Sequence, residues 1–329
     1  MPPNSAAAAA DPAVSFVVLA YNHARFIRDC IDSILAQEET IPFEIIVIDD
    51  CSSDGTVAVL DSYADPRLTV IRHAVNQGHA ATVTDGLRRA RAPLIARIDG
   101  DDRYRPEFLR ETVPIFAQFP TVALVYGDAA LIDESGLLRH TRCQTYLPEG
   151  RCNFQKNVFV PLLEDNFICA PTIIARREAW LGCLPIPEGL AFHDWYFTLQ
   201  MARRAPFYYR DRVLADYRVH PHNLHIAIIR SRMEEPSLFR LLDAVYRETE
   251  ATPALERAKR RARTRIYASR YLEMATKYFG QHMDRDARRC YHRVLRRRPW
   301  WIFKPAVARR LIGTYIGREA YNVLKRWWL

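Results

Sequence analysis

The sequence predicts an α/β fold with a mostly parallel sheet, followed by a C-terminal α-helical extension. Short apolar runs that suit buried parallel strands alternate with segments of helical periodicity from residue 15 to about residue 126. Most of these runs end in a polar or acidic turn, which is the pattern of repeated βαβ units. From residue 234 onward the chain is Arg-rich and helical in pattern, with breaks at Gly280 and Pro299.

The alternation is regular enough to assign each element by its period. The predicted strands are residues 15–19, 44–48, 68–72, 94–98 and 122–126, and the predicted helices are residues 26–35, 56–63, 79–90 and 106–118. In the first helix the apolar residues, among them Ile27, Ile31 and Ile34, lie on one stripe that is expected to pack on the sheet. A hairpin-like segment at residues 131–136 follows the last strand.

Charge divides the chain into two parts. The net charge is +9, but from residue 226 onward about 25 Lys and Arg stand against about 10 Asp and Glu, so residues 1–225 are net acidic. We expect an α/β domain at residues 14–230 and a basic helical region at residues 231–329. An Ala-rich leader at residues 1–13 is predicted to be disordered.

The sequence does not show the usual marks of export or of a membrane span. No window reaches the roughly 18 uncharged apolar residues of a membrane-spanning helix. The first basic residue is Arg25, so the start lacks the charged region of a signal peptide. Seven cysteines without a C-x-x-C pair argue against a disulfide framework and a zinc site. We therefore expect a cytoplasmic protein with reduced thiols.

Polar side chains follow three of the predicted strands. Tyr21 and Asn22 follow the first strand, Asp50 follows the second, and Asp99 and Asp101 follow the fourth. In an open α/β sheet the loops at the carboxyl ends of the strands meet in one crevice, where ligands bind. These side chains are therefore expected to gather around one ligand.

The acidic turns suggest what this ligand is. The spacing of Asp99 and Asp101 suits a Mg²⁺ or Mn²⁺ ion that bridges two phosphates. An ordinary surface turn is the alternative, and a calcium loop is another, although Arg103 and Tyr104 break the EF-hand spacing. Asp50 suits a hydrogen bond from a nucleotide base, but the turn at residues 49–55 could equally serve to cap the next helix.

Several motifs occur together in the order found in one enzyme family. Residues 15–37, 45–56, 76–78 and 94–109 resemble the family 2 glycosyltransferases, inverting enzymes of the GT-A nucleotide-diphospho-sugar transferase fold with its Rossmann-like sheet. The resemblance extends from residue 14 to about residue 225. It implies transfer of a hexose or N-acetylhexosamine from a nucleotide-diphosphate sugar, by default a UDP-sugar, to a hydroxyl of a glycan or lipid-linked acceptor. It also implies a Mn²⁺ or Mg²⁺ cofactor and a role in bacterial surface polysaccharide biosynthesis.

The resemblance also assigns roles to individual residues. It gives the nucleotide pocket to Ala20, Tyr21, Asn22, Asp50 and Asp99, and the metal to Asp101. The family's catalytic base usually lies in a Glu-Asp pair that opens a helix before Trp. The matching residues here are His193, Asp194 and Trp195, so Asp194 is the predicted base and His replaces the usual Glu. Alternatively, Asp194 only caps the helix that begins at Trp195.

A histidine near residue 220 is the last candidate of the site. Residues 217–223 resemble the segment with which many members close the donor site, and the resemblance gives His220 a role at the metal or diphosphate. A structural histidine is the alternative, while Arg218 nearby favours a phosphate-facing loop. Arg97, which precedes Asp99 on the fourth strand, is expected to be a strand-face charge rather than a ligand.

The end of the chain is predicted to form an amphipathic helix. Its apolar face would hold Ile312, Ile316, Val323, Leu324, Trp327 and Trp328, with Arg and Lys elsewhere. Trp beside many Arg residues suits a helix on an anionic membrane surface, where lipid-linked acceptors reside, and would make the protein peripheral on the cytoplasmic face. Packing of this face on the first domain is the alternative.

Three other protein classes share some of these features. An Arg-rich helical region could bind nucleic acid, but no nucleic-acid module is apparent and the acidic turns repel phosphate, so no nucleic-acid partner is expected. A dinucleotide oxidoreductase needs a G-x-G-x-x-G turn after the first strand, and residues 20–24 lack it. A catalytically inert GT-A scaffold is the third class, and metal-dependent donor turnover would exclude it.

Overall fold

The computed structural model describes residues 11–38, 40–143, 152–221, 228–317 and 320–322, which form two compact units. The first unit comprises the described residues of Met1–Val158, Phe167–Glu188 and His193–His220. The second comprises those of Phe159–Asn166, Gly189–Phe192 and Pro221–Leu329. Two short segments inside the predicted α/β domain therefore group with the helical unit. Most of the predicted leader lies outside the described residues.

Four parallel strands form one half of the sheet in the first unit. They are β1 (Val14–Ala20), β2 (Phe43–Asp49), β3 (Leu68–Arg72) and β4 (Leu94–Asp99), in the order β3-β2-β1-β4. Their apolar runs form parallel strands because nearly every side chain of β1, β2 and β4 is buried. The register pairs Ala20 with Asp49 and Leu19 with Asp99. The carboxyl ends of β2, β1 and β4 are therefore level.

Helices connect these strands as the sequence predicts. They are α1 (Ile27–Leu35), α2 (Thr56–Asp61), α3 (His79–Arg89) and α4 (Phe108–Gln118). The predicted stripe of α1 is buried in the core, where each large apolar side chain contributes roughly 1.5–3 kcal/mol. Gly86 lets α3 approach the sheet closely, because a Cβ at this position would lie 2.4 Å from Cγ1 of Val17. This close packing fixes α3 against the sheet.

The other half of the sheet mixes strand directions. It contains β5 (Arg103–Tyr104), β6 (Leu124–Ile132), β7 (Leu138–His140), β8 (Phe154–Lys156), β9 (Ile174–Arg176) and β10 (Phe207–Arg218). From β4 the order continues β9-β6-β10-β5, with β7 beside β6 and β8 beside β10. Strand β9 is antiparallel to both β4 and β6, whereas β6 and β10 are parallel. The predicted hairpin turn joins β6 to β7.

The remaining helices are divided between the two units, and the longest ones are in the second unit. They are α5 (Phe159–Glu164, second unit), α6 (Arg177–Leu181), α7 (Asp194–Ala202), α8 (Glu234–Arg247), α9 (Pro253–Gly280), α10 (Asp284–Arg297) and α11 (Pro305–Ile316). A 3₁₀ turn at Pro299–Phe303 separates α10 from α11, and α9 ends at Gly280, so both predicted breaks fall at element ends. The C-terminal helical extension is confirmed.

The outer part of the predicted amphipathic helix is not described. Its residues Val323, Leu324, Trp327 and Trp328 lie outside the described residues. Within the described part of the chain, no helix combines the length and the apolar character that crossing a bilayer requires.

Many of the basic residues of the second unit form ion pairs within that unit. The ammonium of Lys259 lies 2.7 Å from the Glu250 carboxylate, and both side chains are buried. Arg293 pairs with the buried Glu235 at 2.9 Å, and Arg270 is buried beside Glu273. Because buried charges need such partners, part of the basic composition serves the internal structure of this unit.

Candidate active site

The first loop of the site follows β1 and is tied to the loop after β2. The carbonyl of Ala20 accepts the N–H of Asp50 at 2.9 Å. Asn22 has a positive φ of 55°, a conformation that Asn tolerates, and its Oδ1 accepts the N–H of Ser53 at 2.8 Å. Tyr21 lies between them with its side chain exposed. This turn at the carboxyl end of β1 therefore fixes Ala20, Tyr21 and Asn22, three of the five residues assigned to the nucleotide pocket.

Asp50 holds the segment that leads into α3. Its Oδ1 accepts the N–H of Gln77 at 2.8 Å and lies 2.7 Å from Nδ1 of His73, and its Oδ2 accepts the N–H of Gly78 at 2.9 Å. Gly78 has a φ of 83°, which favours glycine at this turn. Burial raises the pKa of the Asp50 carboxyl, but these hydrogen bonds outweigh burial and hold its pKa below the ordinary value. Asp50 is thus an anchored, ionised carboxylate.

Asp99 ends β4 beside two cationic or polar partners. Nη2 of Arg97 lies 2.7 Å from Asp99 Oδ1, and Nε2 of His79 lies 3.5 Å from the same oxygen. Burial would raise the pKa of Asp99, but the charge of the adjacent Arg97 holds it well below the ordinary value. Arg97 is buried on β4 and points to the site. The expectation that Arg97 is only a strand-face charge therefore misses its contact with Asp99.

Asp101 contacts His220, which comes from a distant part of the sequence. Oδ2 of Asp101 lies 3.0 Å from Nε2 of His220, although the two residues are 119 positions apart in the sequence, and both are buried. The ring of Phe26 packs 5.0 Å from the His220 ring, centroid to centroid. Asp102 is buried next to this pair. Burial and the charges of Asp101 and Asp99 raise the pKa of Asp102 well above the ordinary value.

Arg218 holds the acidic turn in place rather than facing a phosphate. Its backbone N–H donates to Asp102 Oδ1 at 2.8 Å, and its Nε donates to the Asp101 carbonyl at 2.7 Å. Its Nη1 donates to the carbonyls of Asp133 and Glu134, and Nη2 pairs with Asp29 at 2.9 Å. The side chain is only 1% exposed. Arg218 is therefore engaged by the acidic turn, and its presence is no argument for a phosphate-facing loop.

Asp194 is the first residue of α7, and contacts of its neighbour link it to Asp99. His193 precedes the helix, and its Nδ1 lies 2.7 Å from Nδ1 of His79. His79 in turn lies beside Asp99. The structure thus brings the start of α7 to the level ends of β2, β1 and β4 within the first unit. His222 and Asn223 of the predicted closing segment lie outside the described residues.

The residues at Asp101 and His220 fit a divalent ion that also binds a diphosphate. Oδ2 of Asp101 and Nε2 of His220 are 3.0 Å apart, a hydrogen-bond distance, so both atoms would be within reach of one bound ion. The imidazole favours Mn²⁺, since Mg²⁺ is held mainly by oxygen ligands. Among the described residues there is no group of three or more His, Cys, Asp or Glu that could hold a metal ion. Diphosphate oxygens would therefore have to complete the shell.

The sheet, the level strand ends and the carboxylates around them define a transferase of the GT-A structural class. The family model described as Glycosyl transferase family 2 matches residues 15–181, half of the chain. The chain belongs to glycosyl transferase family 2.

Relatives with assigned names support the same class. The succinoglycan biosynthesis protein ExoO of Rhizobium meliloti is 42% identical over 102 residues, which cover 31% of this chain and 29% of that protein. The putative teichuronic acid biosynthesis glycosyltransferase TuaG of Bacillus subtilis is 34% identical over 213 residues, covering 63% of this chain and 79% of TuaG. The uncharacterized protein Rv1520 of Mycobacterium tuberculosis is 28% identical, and 60% of its length is covered. The chain thus spans less than two thirds of several relatives.

Solved structures share the fold. The mannosyltransferase PcManGT from Pyrobaculum calidifontis, in complex with GDP-Man and Mn²⁺, matches with a TM-score of 0.59 and 18% identity over 93% of this chain and 86% of that one. TarS 1–349 of S. aureus, in complex with UDP-GlcNAc, matches with a TM-score of 0.53 and 16% identity over 92% of this chain and 79% of that one. At these identities the likeness shows the fold alone.

Proposed function

We propose that this protein is an inverting glycosyltransferase that moves a hexose or N-acetylhexosamine from a nucleotide-diphosphate sugar to a hydroxyl of a glycan or lipid-linked acceptor. The observation that carries the proposal is the chain of contacts from Asp99 through His79 to His193. It brings the start of α7, and with it Asp194, to the carboxylates at the ends of β2 and β4. This supports a donor pocket and a base candidate at the same end of the sheet.

In this proposal each carboxylate has a separate task. Asp50, held ionised by backbone N–H groups, accepts a hydrogen bond from the base of the nucleotide. Asp99, at the end of β4 beside β1, binds the ribose. Asp194 takes the proton of the acceptor hydroxyl as its oxygen bonds to the anomeric carbon, in a single displacement that inverts the configuration. The hydroxyl becomes acidic during this step, so the position of Asp194 matters more than its basicity.

Asp101 and His220 would hold the divalent cation. A bound Mn²⁺ or Mg²⁺ neutralises charge on the departing nucleoside diphosphate. The chain itself keeps both ligands in place: Arg218 fixes the backbone of Asp101, and Phe26 packs on the imidazole of His220. These contacts orient the two ligands before the donor arrives.

The names of relatives support the choice of substrates. Succinoglycan and teichuronic acid, named for two relatives, are surface polysaccharides, which favours a glycan acceptor and a role in bacterial surface polysaccharide biosynthesis. UDP-GlcNAc and GDP-Man, bound to structural neighbours, support a nucleotide-sugar donor, and we take a UDP-sugar as the first choice. Mn²⁺ in one of those complexes supports the cation.

The first prediction tests the donor site through its cation. Among UDP-glucose, UDP-galactose, UDP-GlcNAc and GDP-mannose, we expect one to bind with Mn²⁺ and to release its nucleotide slowly to water. Asp101→Ala should weaken this Mn²⁺-dependent binding about 10- to 100-fold, because a charged ligand to the cation is lost. The matched control is Asp61→Ala, which removes an exposed carboxylate on α2 that pairs with Arg72. Calorimetric titration measures both variants.

The outcomes separate the alternatives. If no donor binds the wild type more tightly than Asp101→Ala, the enzyme proposal fails and an inert scaffold remains. If RNA or DNA binds with a strong salt dependence while no donor is turned over, the result would favour a nucleic-acid-binding protein instead.

We also propose that the second unit binds an anionic membrane surface. Five large apolar side chains are exposed between the 3₁₀ turn and the end of α11: Trp300, Phe303, Ile312, Tyr315 and Ile316. Phe303 is 83% exposed. Cations accompany the aromatic rings of this region, with Arg298 5.1 Å from the Trp300 centroid, Lys304 4.0 Å from that of Trp301 and Arg288 3.8 Å from that of Tyr315. Aromatic rings beside cations suit the headgroup region of an anionic bilayer.

The second prediction tests this surface with vesicles. We expect the protein to float with phosphatidylcholine vesicles that contain 30 mol% phosphatidylglycerol, roughly the anionic content at which basic segments bind. Phe303→Ala should lower the partition coefficient about tenfold, because one aromatic side chain no longer enters the lipid. Leu138→Ala, which removes an exposed apolar side chain from the first unit, is the control. Equal binding to neutral vesicles, or no effect of Phe303→Ala, would contradict the proposal.

A further inference from the structure

His79 and His193 form a contact that joins two elements of the site. Their Nδ1 atoms are 2.7 Å apart, and their rings lie edge to edge and nearly parallel, with centroids 4.9 Å apart and an interplanar angle of 11°. His79 is the first residue of α3, and His193 immediately precedes α7, which begins at Asp194. The contact therefore connects the beginnings of α3 and α7, which are 114 residues apart at this point.

The surroundings of His79 fix the direction of its hydrogen bonds. Nη2 of Arg97 lies 2.9 Å from Nε2 of His79, and a guanidinium can only donate. Nε2 of His79 is therefore the acceptor, and the proton of a neutral His79 lies on Nδ1. Nδ1 of His79 then donates to Nδ1 of His193, which leaves the proton of His193 on Nε2. The same nitrogen of Arg97 also donates to Asp99 at 2.7 Å.

The segment that carries His79 also contacts both predicted nucleotide carboxylates. The N–H groups of Gln77 and Gly78 donate to Asp50 at 2.8 and 2.9 Å. The next residue is His79, and its Nε2 lies 3.5 Å from Asp99 Oδ1. One short segment thus touches Asp50 and Asp99 and, through His193, the start of α7. Its position sets the distance from the two carboxylates to Asp194.

We propose that His79 and His193 are positioning residues whose hydrogen bond holds Asp194 at the right distance from a donor bound at Asp50 and Asp99. This inference rests on the proposed function of the donor pocket and of Asp194. It also explains why His replaces the usual Glu at position 193. Arg97 and Asp99 lie beside His79, and an imidazole at position 193 supplies an acceptor without adding a negative charge next to Asp99.

Asparagine and glutamine replacements separate the two ring nitrogens. An Asn amide occupies nearly the position of the imidazole Nδ1, whereas a Gln amide reaches the position of Nε2. His79→Asn and His193→Asn therefore keep a donor or an acceptor for the shared hydrogen bond, and His79→Gln and His193→Gln remove it. We expect kcat for nucleotide release from the donor to fall about tenfold in the Gln variants and less than about threefold in the Asn variants. The KM for the donor should change little in the His193 variants.

A second readout does not depend on turnover. Hydrogen exchange of the peptide that contains the first turn of α7 should be about tenfold faster in His193→Gln than in His193→Asn, because the start of the helix has lost its anchor. Calorimetry with UDP and Mn²⁺ should give similar Kd values for both. Faster exchange in the Gln variant without donor turnover by the wild type would support the contact and overturn the proposed function. Donor turnover and exchange that are equal in all four variants would overturn the positioning role and leave the proposed function standing.

Discussion

Replacing Asp194 with asparagine is expected to lower kcat about 10²- to 10⁴-fold, the range of a lost general base. The amide has nearly the same shape as the carboxylate but cannot take the proton of the attacking hydroxyl. Binding of UDP with Mn²⁺ should be unchanged, because Asp50, Asp99 and Asp101 hold the nucleotide side in this proposal. The measurement is nucleotide release from the donor found by titration, with Kd for UDP measured in parallel.

The same substitution decides between catalysis and helix capping. Asn caps helices about as well as Asp, so a capping role alone predicts that Asp194→Asn keeps both stability and activity. Asp194→Ala removes both roles. Because His193 occupies the N-cap position and Asp194 lies in the first turn of α7, the additional loss of stability should be about 0.3–1 kcal/mol. Full activity of Asp194→Asn would remove Asp194 from the mechanism. Parallel loss of activity and nucleotide binding would instead indicate a disturbed pocket.

The parallel half of the fold could be predicted from the sequence because its signals are local. Strands β1, β2 and β4 are mostly apolar runs, and the stripe of α1 repeats every 3.6 residues. Once these elements are known, the topology of an α/β sheet places the turns after β1, β2 and β4 together. The candidates Asn22, Asp50 and Asp99 therefore followed from pattern and topology.

In the mixed half of the sheet, only β6 and the turn into β7 gave a comparable signal. Strand β9 has only three residues, yet it separates β4 from β6 and reverses the strand direction. The long strand β10 carries polar and charged residues along much of its length, so it lacks both a continuous apolar run and a strict alternation. Its register with β6 shifts near Val213. Tertiary pairing, rather than local pattern, decides these strands.

The polar contacts of the site were equally hidden. His79, His193 and Arg97 are far apart in the sequence, and no spacing rule connects them. The position of His79 directly after Asn76-Gln77-Gly78, at the predicted start of a helix, was the one available signal. By topology a residue at this position lies at the carboxyl end of the sheet, so His79 could have been predicted as a site residue.

Replacement of Arg218 has the second large expected effect, which is on stability. Arg218→Met should lower the free energy of unfolding of the first unit by about 3–5 kcal/mol, because several buried acceptors lose their donor at once. Asp29 is exposed, so most of this cost comes from the carbonyls of Asp101, Asp133 and Glu134, which lose their buried donor when methionine fills only part of the volume. Urea unfolding monitored by fluorescence measures the loss.

Arg212 provides the matched control because it lies on the same strand but is exposed, with its Nη1 bonded only to the carbonyl of Asp211 at 3.1 Å. Arg212→Met should change the stability by less than about 0.5 kcal/mol. Arg218→Lys keeps the charge but loses the planar fork, so its stability should lie between those of the wild type and Arg218→Met. If Arg218 faced a phosphate instead, Arg218→Met would weaken UDP binding and leave the unfolding midpoint unchanged. The burial of its guanidinium against four backbone and side-chain acceptors argues for the opposite order, with stability lost first and nucleotide binding lost only as the Asp101 turn loosens.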